Sequence, residues 1–181
     1  MREKKALSQV VSTLILLVVT ILLAAVVTYY ATNMTTVRTE TEEIQLTFEH
    51  IWINSTGAIG GFKVKNLGGR DILIDKITVR GVEQAWTDVF VYRVPSGSSV
   101  TSDLIVCDYT AMLPAGFVHQ TYTYNQSSAD IALISGGEML VYIKDPDNVQ
   151  MDDIGTTVSI SIFTANAQYI TECNVESGTD Q

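Results

Sequence analysis

One uninterrupted apolar stretch near the N-terminus limits what this chain can fold into. No charged residue occurs between Ala6 and Val37, and the sequence from Leu7 to Tyr30 is almost wholly apolar. As a helix, Leu7–Tyr30 would reach about 36 Å, which exceeds the roughly 30 Å hydrocarbon core of a bilayer. The stretch therefore predicts a hydrophobic helix that spans a membrane or is buried in an assembly.

A removable secretory signal is the first alternative to a retained helix. The apolar region of such a signal is only about 7–15 residues long. Here Ala24-Ala25-Val26 is a poor version of the cleavage site, and apolar sequence continues beyond it. A retained helix is therefore favoured.

The charges that flank the helix predict its orientation in a membrane. Basic residues lie before it, within Met1–Lys5, and the acidic segment Glu40–Glu43 follows it. Because basic flanks prefer the cytoplasmic side, we expect the rest of the chain to lie outside.

After Glu43 the hydrophobic periodicity changes from helical to alternating. Seven segments rich in β-branched and aromatic residues are predicted to contain strands: Ile44–Asn54, Gly60–Gly69, Arg70–Gly81, Asp88–Val94, Ser102–Tyr109, Glu138–Asp145 and Gly155–Ala167. Their short length and the Gly, Asn and Ser between them are typical of an antiparallel sandwich. The predicted fold class is α+β, a long hydrophobic N-terminal helix followed by an antiparallel Ig-like β-sandwich headgroup.

The predicted organisation has four parts. Residues 1–6 form a cleaved leader, 7–43 the hydrophobic helix and stalk, 44–175 the headgroup, and 176–181 a flexible tail.

Within the first strand segment, alternation places Ile44, Leu46 and Phe48 on one side, and one slip brings Ile51 and Ile53 to that side too.

Composition and motifs disfavour nucleic-acid binding and catalysis. The chain has 11 basic and 20 acidic residues and a formal net charge of −9, so no basic stripe is present to neutralise phosphates. His50 and His119 are the only histidines and lie in different segments. Neither a nucleophile–base pattern nor a metal-protease motif occurs. We therefore predict no catalytic, cofactor-binding or metal-binding residues.

The acidic segment Lys144–Asp153 allows two interpretations. Its oxygen-bearing side chains are of the kind that calcium prefers, namely Asp145, Asp147, Asn148, Asp152 and Asp153. The EF-hand spacing fails, because Gln150 stands in place of the glycine and Thr156 in place of the bidentate glutamate. An exposed turn is the simpler interpretation, and an irregular calcium site is the alternative.

Two further features depend on export of the headgroup. Cys107 and Cys173 are the only cysteines, and an even number in an exported domain suggests one disulfide; two buried free thiols are the alternative. Three N-x-[ST] sequons mark candidate glycosylation sites at Asn33, Asn54 and Asn125.

The segment KKALSQVVSTLILLVVTILLAAVV resembles the N-terminus of archaeal type IV pilins and archaellins. The resemblance implies that a prepilin peptidase cuts on the cytoplasmic side, after Lys4, Lys5 and Ala6, so that Leu7 begins the mature subunit. It also implies that the helices bundle in a filament core while β-rich headgroups cover the outside. The likeness extends over about thirty residues and is only architectural beyond them.

Two departures from the family pattern bear on the type of filament. Ala6 stands where glycine is common, and Val11 occupies the place of the glutamate of bacterial pilins, which archaeal members commonly lack. The glycine-containing start typical of archaellins is missing, which favours a pilus over a motility filament.

The sequence thus predicts a structural subunit of an archaeal type IV pilus-like filament with a role in adhesion. We expect partners of three kinds: further copies of the chain through the N-terminal helix, the cytoplasmic membrane before assembly, and the prepilin peptidase with its assembly machinery. The expected location is the cell surface. The alternative is a single-pass membrane protein whose Ig-like domain binds an envelope or filament partner.

Overall fold

The computed structural model describes residues 2–178 of the 181-residue chain. By its internal contacts the chain divides into two compact units, Met1–Glu40 and Thr41–Gln181. The first unit is a single helix, α1 (Arg2–Glu40). It contains no glycine or proline, and these are the residues that most often interrupt a helix. The second unit is called the β unit below.

The described part of the β unit consists of strands joined by turns and short 3₁₀ helices. The strands are β1 (Ile44–Ile53), β2 (Ala58–Asn66), β3 (Ile72–Val79), β4 (Val82–Glu83), β5 (Val89–Arg93), β6 (Phe117–His119), β7 (Tyr122–Gln126), β8 (Ile131–Leu133), β9 (Glu138–Lys144), β10 (Thr157–Thr164) and β11 (Gln168–Ser177). The 3₁₀ helices are Trp86–Asp88, Tyr109–Ala111 and Met151–Asp153.

These strands hydrogen-bond in the order β4-β3-β10-β11-β1-β2-β9-β5-β7-β6, with β8 paired to β3. The neighbours run antiparallel except β1 and β11, where Ile51–Ile53 lies parallel to Val175–Ser177. The predicted α+β class is therefore confirmed: one long apolar N-terminal helix is followed by a large, mostly antiparallel β-sheet.

The main core lies between two halves of this sheet that face each other. Val158, Ile160 and Ile162 of β10 point into it, as their alternation predicts. They belong to the same buried cluster as Phe62 of β2 and Val141 of β9, which come from the other half of the sheet. Because these halves are not neighbours in the hydrogen-bonding order, the sheet folds over its own apolar face to form two layers.

A second core covers the opposite face of β9. Val141 and Ile143 belong to the main core, whereas Leu140 and Tyr142 belong to the second. Successive residues of a strand point to opposite faces of the sheet, so the sheet separates the two cores. Burial on both faces explains why β9 is a continuous apolar run rather than an alternating one.

The loop 94–116, here called the strap, covers the second core. Val100, Leu104 and Met112 of the strap are buried against the sheet. Side chains of the sheet donate hydrogen bonds to carbonyl groups of the strap: Lys63 Nζ to Val100 O (2.8 Å), Tyr142 Oη to Ile105 O (2.7 Å) and Lys144 Nζ to Met112 O (2.8 Å). The strand prediction for Ser102–Tyr109 was therefore wrong. Its alternating apolar residues pack on the sheet without joining it.

The predicted slip in β1 is present as a β-bulge, but its side-chain assignment needs a correction. Register shifts between Thr47 and His50, and Phe48 has a positive φ of 60°. The bulge turns Phe48 to the second core, while Ile44 and Ile51 point into the main core. Phe48 thus lies on the opposite face from the residues with which its spacing grouped it.

Five strands escaped the sequence interpretation, and one of them corrects the predicted tail. The missed strands, which fall outside the segments predicted to contain strands, are β4, β6, β7, β8 and β11. β11 continues to Ser177, with Val175 buried, so residues 176 and 177 are strand rather than flexible tail. Residues 179–181 lie outside the described residues. The tight parallel register of this last strand with β1 has no local sequence signature.

Two buried polar side chains fix the turns at the end of the β unit where the chain enters. Asn66 is fully buried, and its amide binds four backbone groups: Nδ2 donates to Arg70 O (2.8 Å), Leu133 O (3.3 Å) and Ile134 O (3.1 Å), and Oδ1 accepts from Gly68 N (3.0 Å).

Glu138 is the second of these buried side chains. Burial alone would raise its pKa, but hydrogen bonds from Lys65 (2.7 Å), Ser99 and the Val100 N–H hold that pKa below its usual value.

Candidate functional site

The most unusual surface of the chain is that of α1. Ser8–Val37 is a 30-residue span whose most apolar 18-residue window has a mean hydropathy of 3.0, and none of that window is buried in the structure. Its apolar residues point in all directions rather than along one stripe, a distribution typical of membrane spans and of fully buried helices. The span is long and apolar enough to cross a membrane.

Many hydroxyl groups of this span are hydrogen-bonded within the helix. Seven hydroxyls donate to carbonyl oxygens three or four residues earlier, at 2.8–3.0 Å: those of Ser12, Thr13, Thr20, Thr28, Thr32, Thr35 and Thr36. An unpaired hydroxyl would cost several kcal/mol on transfer from water to an apolar medium. Because these seven hydroxyls are already bonded, they add little to the cost of moving the helix out of water.

The predicted leader residues fall in the first turns of α1. The helix begins at Arg2, so Lys4, Lys5, Ala6 and Leu7 all have helical backbone. No structural break separates the basic residues from the apolar span. The position of the cut therefore follows from the resemblance alone.

The two histidines lie apart and take structural contacts. Nε2 of His50 lies 3.0 Å from Asp103 Oδ1, Nδ1 lies 3.6 Å from Glu176 Oε1, and the ring stacks on Trp52 at 5.0 Å. His119 lies with its Nε2 3.3 Å from Ile105 O, and burial lowers its pKa. These contacts anchor the strap to the sheet.

The acidic segment forms a turn after β9, and two of its carboxylates, those of Asp145 and Asp153, have protein partners. Asp145 Oδ1 accepts from Ala58 N (3.4 Å), and Asp153 pairs with Arg80 (2.9 Å) while it caps Gln150 N (2.9 Å). Within residues 2–178, no group of three or more His, Cys, Asp or Glu side chains is arranged to hold a metal ion.

The three sequons lie in different structural settings. Asn33 is exposed on α1, inside the apolar span. Asn54 follows β1, where its Oδ1 accepts from Thr56 N (2.9 Å) and Gly57 N (3.1 Å). Asn125 is an exposed residue of β7 that lines a surface groove of about 590 Å³ together with Arg93. Asn54 and Asn125 remain candidates on the surface of the β unit.

The predicted disulfide between Cys107 and Cys173 is not formed, since both are free, buried thiols. Cys173 of β11 belongs to the main core, whereas Cys107 of the strap belongs to the second core and contacts Met112 Sδ at 3.7 Å. The sheet lies between the two cores and keeps the sulfurs apart. The alternative of two buried thiols is thus the one that the structure adopts.

Both thiols are expected to resist alkylation in the folded protein. Burial raises the pKa of Cys107 and of Cys173 from 9.0 to about 12, and the thiolate is the reactive form. At pH 8 the thiolate fraction should be about 1,000-fold below that of an ordinary cysteine. Mass spectrometry after iodoacetamide treatment should show no adduct before denaturation and two after it. The Cys107→Ser variant should show one adduct after denaturation, and a 2 Da mass gain of the wild type on reduction would contradict the assignment.

No protein-family model matches this chain, and no curated protein matches its sequence. The functional inference therefore depends on the residues themselves. The sequence interpretation missed the hairpin of β6 and β7, which buries Phe117 and Tyr124 in the second core. Its signal was present in the alternation of Phe117–Gln126 around a polar Gln120-Thr121 pair.

Proposed function

We propose that this chain is a structural subunit of an archaeal type IV pilus-like extracellular filament, assembled through α1. The observation that carries the proposal is the span Ser8–Val37, which is apolar on all sides and unburied within its own chain. Such a surface must be covered by lipid or by other proteins. Before assembly the helix lies in the cytoplasmic membrane, and after it the β unit is displayed at the cell surface.

Burial among copies of the same helix keeps α1 out of water once it has left the membrane. Relative to an extracted helix in water, burying about 1,500–2,000 Å² of apolar surface at 25 cal/mol/Å² gains about 40–50 kcal/mol before entropic costs. Other copies of α1 offer this surface repeatedly. A head-to-tail contact that does not close into a ring generates a helical filament.

Leader removal fits the same physical picture. Arg2, Lys4 and Lys5 against Glu3 give the helix tip an excess positive charge, which is costly to pack unpaired into an apolar core. A cut between Ala6 and Leu7 removes three of 11 basic and one of 20 acidic residues, so the formal net charge changes from −9 to −11. The prepilin peptidase and the assembly machinery are the partners that this step requires.

The N-terminus of the surface-exposed protein tests the proposal. Mass spectrometry should identify Leu7 as the first residue of the subunit in the shed filament fraction. Ala6→Trp, or Lys4 and Lys5 both changed to Glu, should leave precursor in the membrane and abolish filaments, because the peptidase requires a small residue after basic ones. Detection of an intact Met1–Ala6 segment in the functional form would instead favour a permanently anchored protein.

Filaments of normal abundance from the Ala6→Trp variant would contradict the assignment. Leu16→Ile is a matched control, because it changes an apolar residue within α1 without altering the leader. The proposed role in adhesion would then be tested by surface attachment of cells with and without filaments.

A further inference from the structure

Strand β6 forms an open edge of the β unit. It is the last strand in the hydrogen-bonding order, and among the described strands it pairs only with β7. The register joins Phe117 to Tyr124, Val118 to Thr123 and His119 to Tyr122. One side of β6 is thus available to another strand.

The turn that follows β6 determines which peptide groups face that open side. Gln120 and Thr121 have positive φ values of 49° and 71°, as in a two-residue type I′ hairpin turn. In such a hairpin the residues that flank the turn, His119 and Tyr122, form a hydrogen-bonded pair, and the next pair does not. The N–H and C=O of Val118 therefore point away from β7, and its side chain is 69% exposed.

The usual protections of an edge strand are missing here. Natural edges are commonly blocked by charged side chains, especially lysine, or by proline within the strand. No Asp, Glu, Lys or Arg occurs from Tyr109 to Ala129, although the chain has 20 acidic residues. His119, the one titratable base in β6, is shifted toward its neutral form by burial.

Apolar side chains surround the open edge. Ile105 is exposed and lies beside β6, since its carbonyl is 3.3 Å from His119 Nε2. Leu113 is also exposed, and its carbonyl accepts from Gly116 N, just before the strand. Together with Val118 they form an uncharged apolar border on an otherwise acidic molecule.

We infer that β6 pairs antiparallel with β6 of a second copy of this chain, with Val118 opposite its own counterpart. The outward N–H and C=O of Val118 are the groups that a hydrogen-bonded antiparallel pair exchanges. A second copy of this acidic chain is repelled over most of the surface. At this border the contact brings neutral surface against neutral surface, so two copies can meet here without charge repulsion. The contact is isologous, so each copy contributes the same residues.

An isologous contact has a defined consequence for assembly. It closes after two copies and cannot extend a filament. If the chain forms filaments as proposed above, β6 pairs join subunits of two different filaments. One pair of three-residue strands is weak, but many pairs along two filaments act together through multivalency. The pairing itself does not depend on the proposed function; lateral association of filaments does.

A cysteine at position 118 tests the pairing in the full-length protein. A hydrogen-bonded antiparallel pair separates its Cα atoms by about 5.5 Å, which a disulfide can bridge. Val118→Cys, oxidised mildly in membranes or in the shed fraction, should give a disulfide-linked dimer on a non-reducing gel. The native Cys107 and Cys173 are buried and should not contribute.

Ile170→Cys is the matched control, because Ile170 is a similarly exposed aliphatic strand residue (60%) but lies on β11, inside the sheet order. Absence of the dimer in Val118→Cys, or equal dimer in both variants, would overturn the inference. A Val118→Thr variant, which keeps the β-branched shape, should retain the association.

Val118→Lys provides a second readout. Two lysines placed opposite each other repel, so micrographs should show single filaments where the wild type shows laterally associated ones. Unchanged association in this variant, or wild-type filaments that never associate, would overturn the lateral contact. If the wild type makes no filaments at all, the proposed function fails, while the cysteine result still decides the pairing.

Discussion

Val18→Lys, a charge placed at the middle of the apolar span, is expected to abolish filaments while the β unit stays folded and the chain stays in the membrane. Val18 is exposed on α1 and would lie among other helices after assembly. A buried, unpaired ammonium costs several kcal/mol, and about 3 kcal/mol already lowers an association constant by more than about 100-fold. Because every subunit carries the change, the penalty recurs at each step of assembly.

Membrane insertion should survive the same substitution. A central lysine costs about 2.5–3.5 kcal/mol on insertion scales, whereas each Leu, Ile or Val contributes about −0.3 to −0.6 kcal/mol, and the span contains many of them. Membrane fractionation with immunoblotting measures insertion, and electron microscopy of the shed fraction measures assembly. Val18→Ala controls for lost volume, and Ile170→Lys adds the same charge on the β unit; both should still give filaments. Normal filaments from Val18→Lys would refute assembly through α1.

Asn66→Ala is expected to destabilise the β unit more than the loss of any other polar side chain does, by about 3–5 kcal/mol. The side chain is fully buried and binds four backbone groups of the surrounding turns. Each buried backbone group left without a partner costs about 1–3 kcal/mol, and water admitted by the smaller alanine recovers part of this. Folded domains are stable by only about 5–15 kcal/mol, so the loss is a large fraction of the total.

Denaturant unfolding of the detergent-solubilised full-length protein, followed by tryptophan fluorescence, measures this loss. Asn174→Ala is the matched control: Asn174 is exposed, with a single hydrogen bond between its Oδ1 and the Thr157 hydroxyl, so its effect should stay below about 1 kcal/mol. Asn66→Asp should be at least as destabilising as Asn66→Ala, because it keeps the acceptor for Gly68 N but sets a buried carboxylate against the carbonyl oxygens of Leu133 and Ile134. An Asn66→Ala variant as stable as Asn174→Ala would show that these bonds are not needed.

Helical and alternating hydrophobic patterns predicted those elements whose secondary structure is specified by the residues of the element itself. The apolar run Leu7–Tyr30 specifies a helix without help from other segments, and the alternation of Val158, Ile160 and Ile162 specifies a strand with one buried face. β9 was also identified, although its two buried faces give a run without alternation. In β10 the hydrophobic residues follow the backbone periodicity, in the helix they form one long apolar run, and β9 is a short apolar run of strand length.

Patterns were insufficient where a distant segment determines the conformation. Ser102–Tyr109 has the residues of a strand, but it packs as part of the strap because hydrogen bonds from Lys63, Tyr142 and Lys144 hold that loop by its carbonyls. Phe48 changes face because of a bulge. The break in alternation of β1 indicated the slip, but the face that Phe48 takes is set by pairing with β2 and by the second core. The conformation of the strap has no local signature, since it arises from contacts with strands far away in sequence.

The sequence by itself determined a long apolar helix and an acidic β-rich unit, because charge, apolar length and side-chain alternation are local properties; the candidate leader rests on the family resemblance. The tertiary structure alone decided that Cys107 and Cys173 lie on opposite sides of a sheet, that β11 runs parallel to β1, and that β6 is left at an open edge. The physical reason is that strand order and the separation of two cores depend on which long-range pairings bury the most apolar surface, and a strand's own residues do not specify its neighbours.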